Sequence, residues 1–372
     1  MLGLYIHIPF CNQICPYCDF CKRVSQSSYQ TQYIDALLAE MKIKKLDQYS
    51  FDTIYIGGGT PSSLSLENLD RLFLGIEKSI PLSHCQEVTI EVNPEDITEE
   101  LASLLARHHI TRVSIGIQTF VPHLQQVIKR FTTRDDIHKK ITLFHQVGIN
   151  NINIDLMYAI PGETLDDVID DLTCAVSLPI QHISYYSLIL EEHTLFYHLY
   201  QKQKLTLVDE ELEEKMYYTI IDTLQKHQFH HYETSNFSKI GYESKHNLIY
   251  WNCESYHAIG TSSSSYINHH RSTNTRDLLS YLTYMQKGQI ALDEDEEINE
   301  YEAMKEEVIL GLRKIQGIDI LAFQAKFQKS IIEVFPQIPF LIEEGLLEKK
   351  QNYIAIPYRY LYITNHILLK II

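Results

Sequence analysis

The sequence predicts an α/β protein: six β/α repeats curling into a partial (β/α)6 barrel over residues 1–200, then a smaller α+β C-terminal domain over 201–372. Three observations predict it. Short runs rich in Ile and Val alternate with amphipathic helical stretches through the first half. Polar and cysteine-bearing motifs recur just after those runs, where parallel α/β sheets carry their chemistry. After about residue 200 the texture changes to acidic helix and aromatic, polar segment.

The strand candidates are residues 4–8, 53–56, 87–92, 112–117, 151–156 and 182–188, several of them apolar enough for burial on both faces. Between them, Leu66, Leu69, Leu72, Phe73 and Ile76 share one helical face, and Ser65 is placed to cap that helix. A helix over 135–146 stops at Gly148, and Thr164 opens the helix after Pro161-Gly162. The same six repeats also suit an open, doubly wound sheet, which the sequence does not exclude. Beyond the barrel, 208–227 reads as an acidic helix, 232–266 as an aromatic and polar segment, and 293–297 as an acidic linker. Residues 201–292 form one part of the C-terminal domain. Residues 298–372 form the other, two or three helices and a hairpin near 347–356 that make a winged-helix-like end.

Composition narrows the function classes. The chain is 45% hydrophobic, which is material enough for a core without disulfides. Its formal charge of -16 disfavours phosphate backbones, so no nucleic-acid partner is expected. No stretch reaches the roughly 20 apolar residues of a membrane helix, and no secretion signal is seen at the start. The reading is a cytoplasmic protein, with peripheral membrane contact left open. Four of the seven cysteines fall within residues 11–21, crowding that points to metal or catalysis. Cys85, Cys174 and Cys253 are scattered and read as inert thiols.

Cys11-x3-Cys15-x2-Cys18 puts three thiolates on one short loop. They can hold three corners of a [4Fe-4S] cube and leave the fourth iron open to a small chelating molecule. Two other readings use Cys21 as well: a structural zinc site and a closed four-thiolate cluster. Zinc knuckles come as two separated pairs, and ferredoxin loops use other spacings.

Tyr5-Ile6-His7-Ile8-Pro9-Phe10-Cys11 and the loop after it closely resemble the radical S-adenosylmethionine proteins of the HemN/HemW group, the oxygen-independent coproporphyrinogen oxidases and the HemW-type haem chaperones. The resemblance continues in order along most of the chain. It implies a [4Fe-4S] cluster on Cys11, Cys15 and Cys18, and S-adenosylmethionine on the open iron, where an electron from the cluster cleaves the sulfonium. Gly57-Gly58-Gly59-Thr60-Pro61-Ser62 resembles the family's glycine-rich segment, which implies Gly58, Gly59 and Thr60 at the methionine end of that cofactor. Glu91, Gln118, Arg130 and Asp155 align with further cofactor contacts, and Tyr5 and Tyr17 belong to the same implied set, Tyr17 near the adenine. The family usually has His after the arginine; this chain has Phe131.

Features outside the barrel separate the two branches. The oxidases carry an arm before the Tyr-x-His motif, whereas here that motif starts at Tyr5. The oxidases also have a fourth cysteine two places after the third; this chain has Asp19-Phe20, as the chaperones do, and then Cys21, expected as a free thiol. His246-Asn247-Leu248-Ile249-Tyr250-Trp251 fits the pattern linked to haem binding in HemW-type proteins. It implies His246 as an axial ligand with Tyr250 and Trp251 along a porphyrin face, or else a histidine bonded within a structural turn. The run 258–265 departs from the family's Gly-rich, Ala-His-Ser pattern. The favoured expectation is a haem chaperone whose partners are haem, an acceptor protein and an electron donor such as a flavodoxin or ferredoxin. The alternatives are oxidative decarboxylation of coproporphyrinogen III, and a radical enzyme with an unrelated substrate.

Overall fold

The computed structural model describes residues 1–24 and 27–372. Six parallel strands follow one another in chain order: β1 (Gly3–Ile8), β2 (Thr53–Gly58), β3 (Glu87–Val92), β4 (Arg112–Gln118), β5 (Asn151–Tyr158) and β6 (His182–Ser187). Each lies beside the next, with no reversal of winding. A doubly wound sheet needs such a reversal, so the partial barrel is the architecture. Side chains from β2 to β6 converge on one cavity, as the concave side of a curled sheet requires.

The strands alternate. On β3, Val88, Ile90 and Val92 are buried with the helical core, while Glu91 faces the bore and carries Glu87 and Thr89 to the same side. On β4, Val113, Ile115 and Ile117 belong to that core, with Arg112, Ser114, Gly116 and Gln118 opposite. The expectation of strands apolar on both faces therefore holds only for the helix side. The bore side instead carries polar side chains, Glu91, Ser114, Gln118 and Asp155 among them. Helices cover the outside with their apolar faces, and Ser65 and Thr164 open two of them as the sequence indicates, with Thr133 a cap the structure adds. Ser65 accepts from Asn68 N–H at 3.2 Å, Thr133 caps Arg134–Gln146, and Thr164 forms a capping box with Asp167. Each such cap contributes about 1 kcal/mol.

Strands from beyond residue 200 extend both edges of the same sheet. β7 (His230–Glu233) and β8 (Asn236–Ser238) add antiparallel beside β6. β9 (Tyr256–Ile259) adds parallel to β1, followed by antiparallel β10 (Ser264–Ile267), β11 (His270–Asn274) and β12 (Leu292–Glu297). The last of these corrects the sequence reading: residues 293–297 are not a linker but an edge strand. Glu296 stands opposite Arg271, and Asp295 reaches His270 at 3.2 Å. A fully exposed edge strand is kept from pairing further by charge, so its composition matches that of a linker.

The C-terminal end packs the helices Ile320–Phe327, Ile331–Val334 and Gln337–Glu343 against a small sheet of β13 (Ile318–Asp319), β14 (Glu348–Lys350) and β15 (Tyr353–Ala355). The hairpin expected near 347–356 is β14–β15. Among the described residues no helix is long and apolar enough to cross a membrane.

Candidate functional site

The chain leaves β1 into a loop clamped at both ends. Phe10–Cys11 pairs in parallel with Arg23–Val24, and Arg23 N–H donates to the Pro9 carbonyl at 2.7 Å. From below, His7 Nε2 donates to the Cys21 carbonyl at 2.8 Å, which leaves Nδ1 to accept from Tyr5 hydroxyl at 3.0 Å. Cys11, Cys15 and Cys18 all line the bore cavity, whose volume is about 530 Å³. Burial pushes the Cys11 thiol up to about 11 and raises Cys18 as well. Such thiols are weak nucleophiles on their own, but a coordinating metal deprotonates them. Cys21 faces elsewhere: its Sγ lies 3.8 Å from Thr261 Oγ1 and 3.6 Å from the Arg276 carbonyl.

The glycine segment passes directly under this loop. Gly59 N–H donates to the Ile8 carbonyl at 2.8 Å and Thr60 N–H to the Phe10 carbonyl at 2.7 Å. A Cβ on Gly59 would sit 2.8 Å from that Phe10 oxygen and 3.0 Å from Cys11 Sγ. Gly58 has φ 116°, and a Cβ there would strike the His7 ring at 2.5 Å. Only glycine fits at these two positions.

The polar residues arrive from successive strand ends. Glu91 accepts from Tyr55 hydroxyl at 2.7 Å and from Gly58 N–H at 3.1 Å, and burial pushes it up to about 7. Asp155 accepts from Ser114 hydroxyl at 2.9 Å and Asn153 Nδ2 at 2.8 Å, and burial raises it too. Gln118 follows a shift of register between β4 and β5 and has φ 74°, a strained backbone that aims it into the cavity. Arg130 donates to Asn93 Oδ1 at 2.5 Å and to the Gly116 carbonyl at 2.9 Å. Tyr17 closes the opposite wall, its ring 6.3 Å from that of Phe196.

One cavity thus collects Tyr17, Gly58, Gly59, Thr60, Glu91, Gln118, Arg130 and Asp155 with the three thiols. Tyr5 lies one layer lower, against Tyr55 and His7. Phe131 is 71% exposed. The departure at 258–265 lies behind β1 rather than in the cavity: a Cβ on Gly260 would meet the His7 carbonyl at 2.6 Å, and Thr261 N–H donates to Tyr33 hydroxyl. Sequence reasoning missed Tyr55, Ser114, Asn153 and Tyr186, which hold or extend the site. For Asn153, two residues before Asp155, and Ser114, four before Gln118, the shared strand face was the available signal; Tyr55 and Tyr186 had none.

The site fits the groups its motifs imply. Three thiols meet a glycine cradle with no room for a side chain. Two buried carboxylates, destabilised by desolvation, suit an ammonium and hydroxyl groups, and a guanidinium suits a carboxylate.

A second cavity of about 560 Å³ adjoins the first, sharing Tyr186 as a wall. Tyr250 and Trp251 line it with Tyr256, Tyr266, Arg271 and Arg313. His246 does not line it. Its side chain is fully buried, Nδ1 bonded to Thr53 Oγ1 at 2.7 Å and Nε2 to Tyr250 hydroxyl at 2.8 Å. Burial and nearby Arg112 push this imidazole down to about 3. As placed, it has no ring nitrogen free for iron. A larger cavity, about 730 Å³, lies among Asn252–Ser255, Lys314 and Lys326, away from the thiol cluster.

The radical SAM superfamily model matches residues 5–175, and the HemN C-terminal domain model matches residues 298–358. The heme chaperone HemW of Bacillus subtilis (strain 168) is 38% identical over 356 residues, covering 95% of this chain and 94% of that protein. The heme chaperone HemW of Lactococcus lactis subsp. lactis (strain IL1403) is also 38% identical, over 92% of this chain and 90% of that protein. Among solved structures, coproporphyrinogen III oxidase (HemN) from Escherichia coli, a radical SAM enzyme, is similar with a TM-score of 0.85 and covers 100% of this chain and 89% of its own. At 20% identity that likeness is one of fold.

Proposed function

The chain belongs to the radical SAM HemN/HemW family, and from that premise we propose that it is a haem chaperone, binding haem and passing it to an acceptor protein. Relatives bearing that function match nearly end to end, whereas the oxidase likeness concerns fold alone. The observation that carries the reading is the division of the cysteines. Cys11, Cys15 and Cys18 share a cavity with the glycine cradle, Glu91, Asp155 and Arg130, while Cys21 faces Thr261.

In this reading Cys11, Cys15 and Cys18 hold a [4Fe-4S] cluster and leave one iron without a thiolate. Arg130 takes the carboxylate of S-adenosylmethionine, and Glu91 its ammonium beside the Gly58–Thr60 segment. Asp155 and Gln118 take ribose hydroxyls, and Tyr17 packs near the adenine. When bound, these groups supply one-electron cleavage of a sulfonium carbon–sulfur bond. The chain's own part is to orient both groups, keep the floor polar through Ser114 and Asn153, and hold the loop through Tyr5 and His7. Haem is cargo, and the aromatic second cavity is its place. An electron donor of flavodoxin or ferredoxin type reduces the cluster.

The test is anaerobic reconstitution with iron and sulfide, followed by titration with haem. A saturable haem absorbance change is expected, with no vinyl product from coproporphyrinogen III. Vinyl product without haem binding would reverse the assignment to the oxidase.

A further inference from the structure

We propose that Arg112 is a positioning residue of the cofactor site: its unpaired guanidinium, on the floor of the bore, is the counter-charge that keeps Glu91 and Asp155 as carboxylates for S-adenosylmethionine. The assignment rests on the reading of Glu91 and Asp155 as contacts of that cofactor.

Arg112 opens β4 and is only 2% exposed, the bulkiest of the fully buried side chains. Among the described residues its guanidinium makes no hydrogen bond and no ion pair, and Nε is buried without a partner. Thr89 stands directly opposite on β3, yet its hydroxyl is left unpaired as well. Glu87, on the same face of β3, is committed to the start of the helix Lys245–Trp251, accepting from two of its N–H groups at 3.1 and 3.0 Å. The other guanidinium of the site is arranged quite differently. Arg130 donates to Asn93 and to the Gly116 carbonyl, and stands 3.7 Å from Glu95.

Burying a cation without a partner costs stability, and arginine cannot escape the cost by losing its proton. An apolar side chain of similar length would fill the space without that cost. The charge therefore has a use beyond packing, and its position shows which. Ser114, two residues on and on the same face, stands opposite Glu91 on β3 and donates to Asp155 on β5. In a floor shielded from water, a charge acts across several ångströms. Burial raises Glu91; the Tyr55 hydroxyl lowers it, Asp155 raises it, and Gly58 N–H and Arg112 lower it again, leaving it at about 7. Asp155 is raised by burial and lowered by its hydrogen bonds and by Arg112.

No other group around the pair takes over this task. Tyr5, Tyr55, Tyr186, Tyr232 and Tyr250 are phenols that burial holds protonated. His182 and His246 are held neutral by burial and by Arg112 itself. Glu233, across Tyr186, is an acid that burial raises to about 7. Without Arg112, Glu91 would keep its proton and present a donor where the cofactor's ammonium needs an acceptor.

The test compares R112M and R112Q with wild type in two measurements. One is melting of the apo-protein. The other is the dissociation constant of S-adenosylmethionine for reconstituted full-length protein, by anaerobic equilibrium dialysis from about pH 6 to about pH 9. Comparison with wild type at each pH cancels the ligand's own titration. R112M is expected to melt no lower than wild type, because no unpaired charge is left to bury. Both variants are expected to bind roughly tenfold more weakly near neutral pH and to approach wild type at the alkaline end, since each unit by which a carboxyl rises costs about a factor of ten below its midpoint. An unchanged profile in either folded variant, a loss by the same factor at every pH, or a marked fall in the R112M melting temperature overturns the assignment and leaves the cofactor reading standing. Wild-type protein that carries its cluster but does not bind S-adenosylmethionine overturns both.

Discussion

Replacing Gly59 by alanine puts the steric argument for the cluster cradle to work. The added methyl would lie 2.8 Å from the Phe10 carbonyl, 3.0 Å from Cys11 Sγ and 3.1 Å from the Ile8 carbonyl. Two of these are backbone atoms that cannot rotate away, and both already accept the hydrogen bonds that tie the glycine segment to the loop. Overpacking of this kind costs about 1–3 kcal/mol, and weakening the two bonds adds about 1 kcal/mol. We expect G59A to lose about 2–4 kcal/mol, a fall of roughly 3–5 °C in melting temperature for a chain of 372 residues. We also expect it to lose most of its iron after anaerobic reconstitution, because Cys11 is displaced. The control is G148A. Gly148 has φ 91°, but a Cβ there meets nothing within 4 Å. It carries the left-handed backbone penalty of about 1–2 kcal/mol without touching the site, so it should keep full iron content. The reasoning is refuted if G59A assembles the cluster and melts like wild type, or if G148A loses iron as severely.

Other outcomes follow from the same geometry. Cys15→Ala should abolish normal cluster assembly while shifting apo-protein stability by less than about 1 kcal/mol, since Cys15 is only half-buried. Cys21→Ser should retain full iron and sulfide content, because its Sγ faces Thr261; a loss of one iron ligand in its spectra would place Cys21 on the cluster. The pH dependence of apo stability should fall on the alkaline side. Burial holds Glu91, Asp171 and Glu233 near 7 and Glu163 near 8, so the folded state keeps protons that the unfolded chain releases from about pH 4.3 upward. Their stabilisation is complete below that value and is lost as pH rises through 7 and 8. Histidines pushed down by burial, His7 and His231 to about 4 and His246 to about 3, act oppositely, but only up to the unfolded value near 6.5. Between pH 6.5 and 8 the melting temperature should therefore decline, and Glu163→Gln should flatten that decline. A rising or level wild-type profile there would contradict the assignment of buried, protonated carboxyls.

The six strands were legible because their outward faces are continuous apolar patterns, and Ser65 and Thr164 announced their helices through chemistry local to the sequence. Glu91, Gln118, Arg130 and Asp155 were legible as members of an ordered set of motifs. What the sequence concealed depends on neighbours distant along the chain. Ser114 and Asn153 matter because β4 and β5 lie side by side, which places both against Asp155. The acidic run at 293–297 becomes a strand only because β11 offers it a partner. The motif around His246 admitted either a haem ligand or a histidine bonded within the structure, and the sequence alone did not decide between them. Thr53, from a strand almost 200 residues earlier, is what occupies its second nitrogen. The extension of the sheet past both barrel edges by residues after 200 had no local signature at all.

Mössbauer spectroscopy of iron-57-reconstituted protein, recorded with and without S-adenosylmethionine, addresses the open iron most directly. The account expects one of the cluster's four iron sites to change on addition while the other three, held by Cys11, Cys15 and Cys18, keep their parameters. Four sites indifferent to S-adenosylmethionine, in protein shown to be fully loaded, would contradict it.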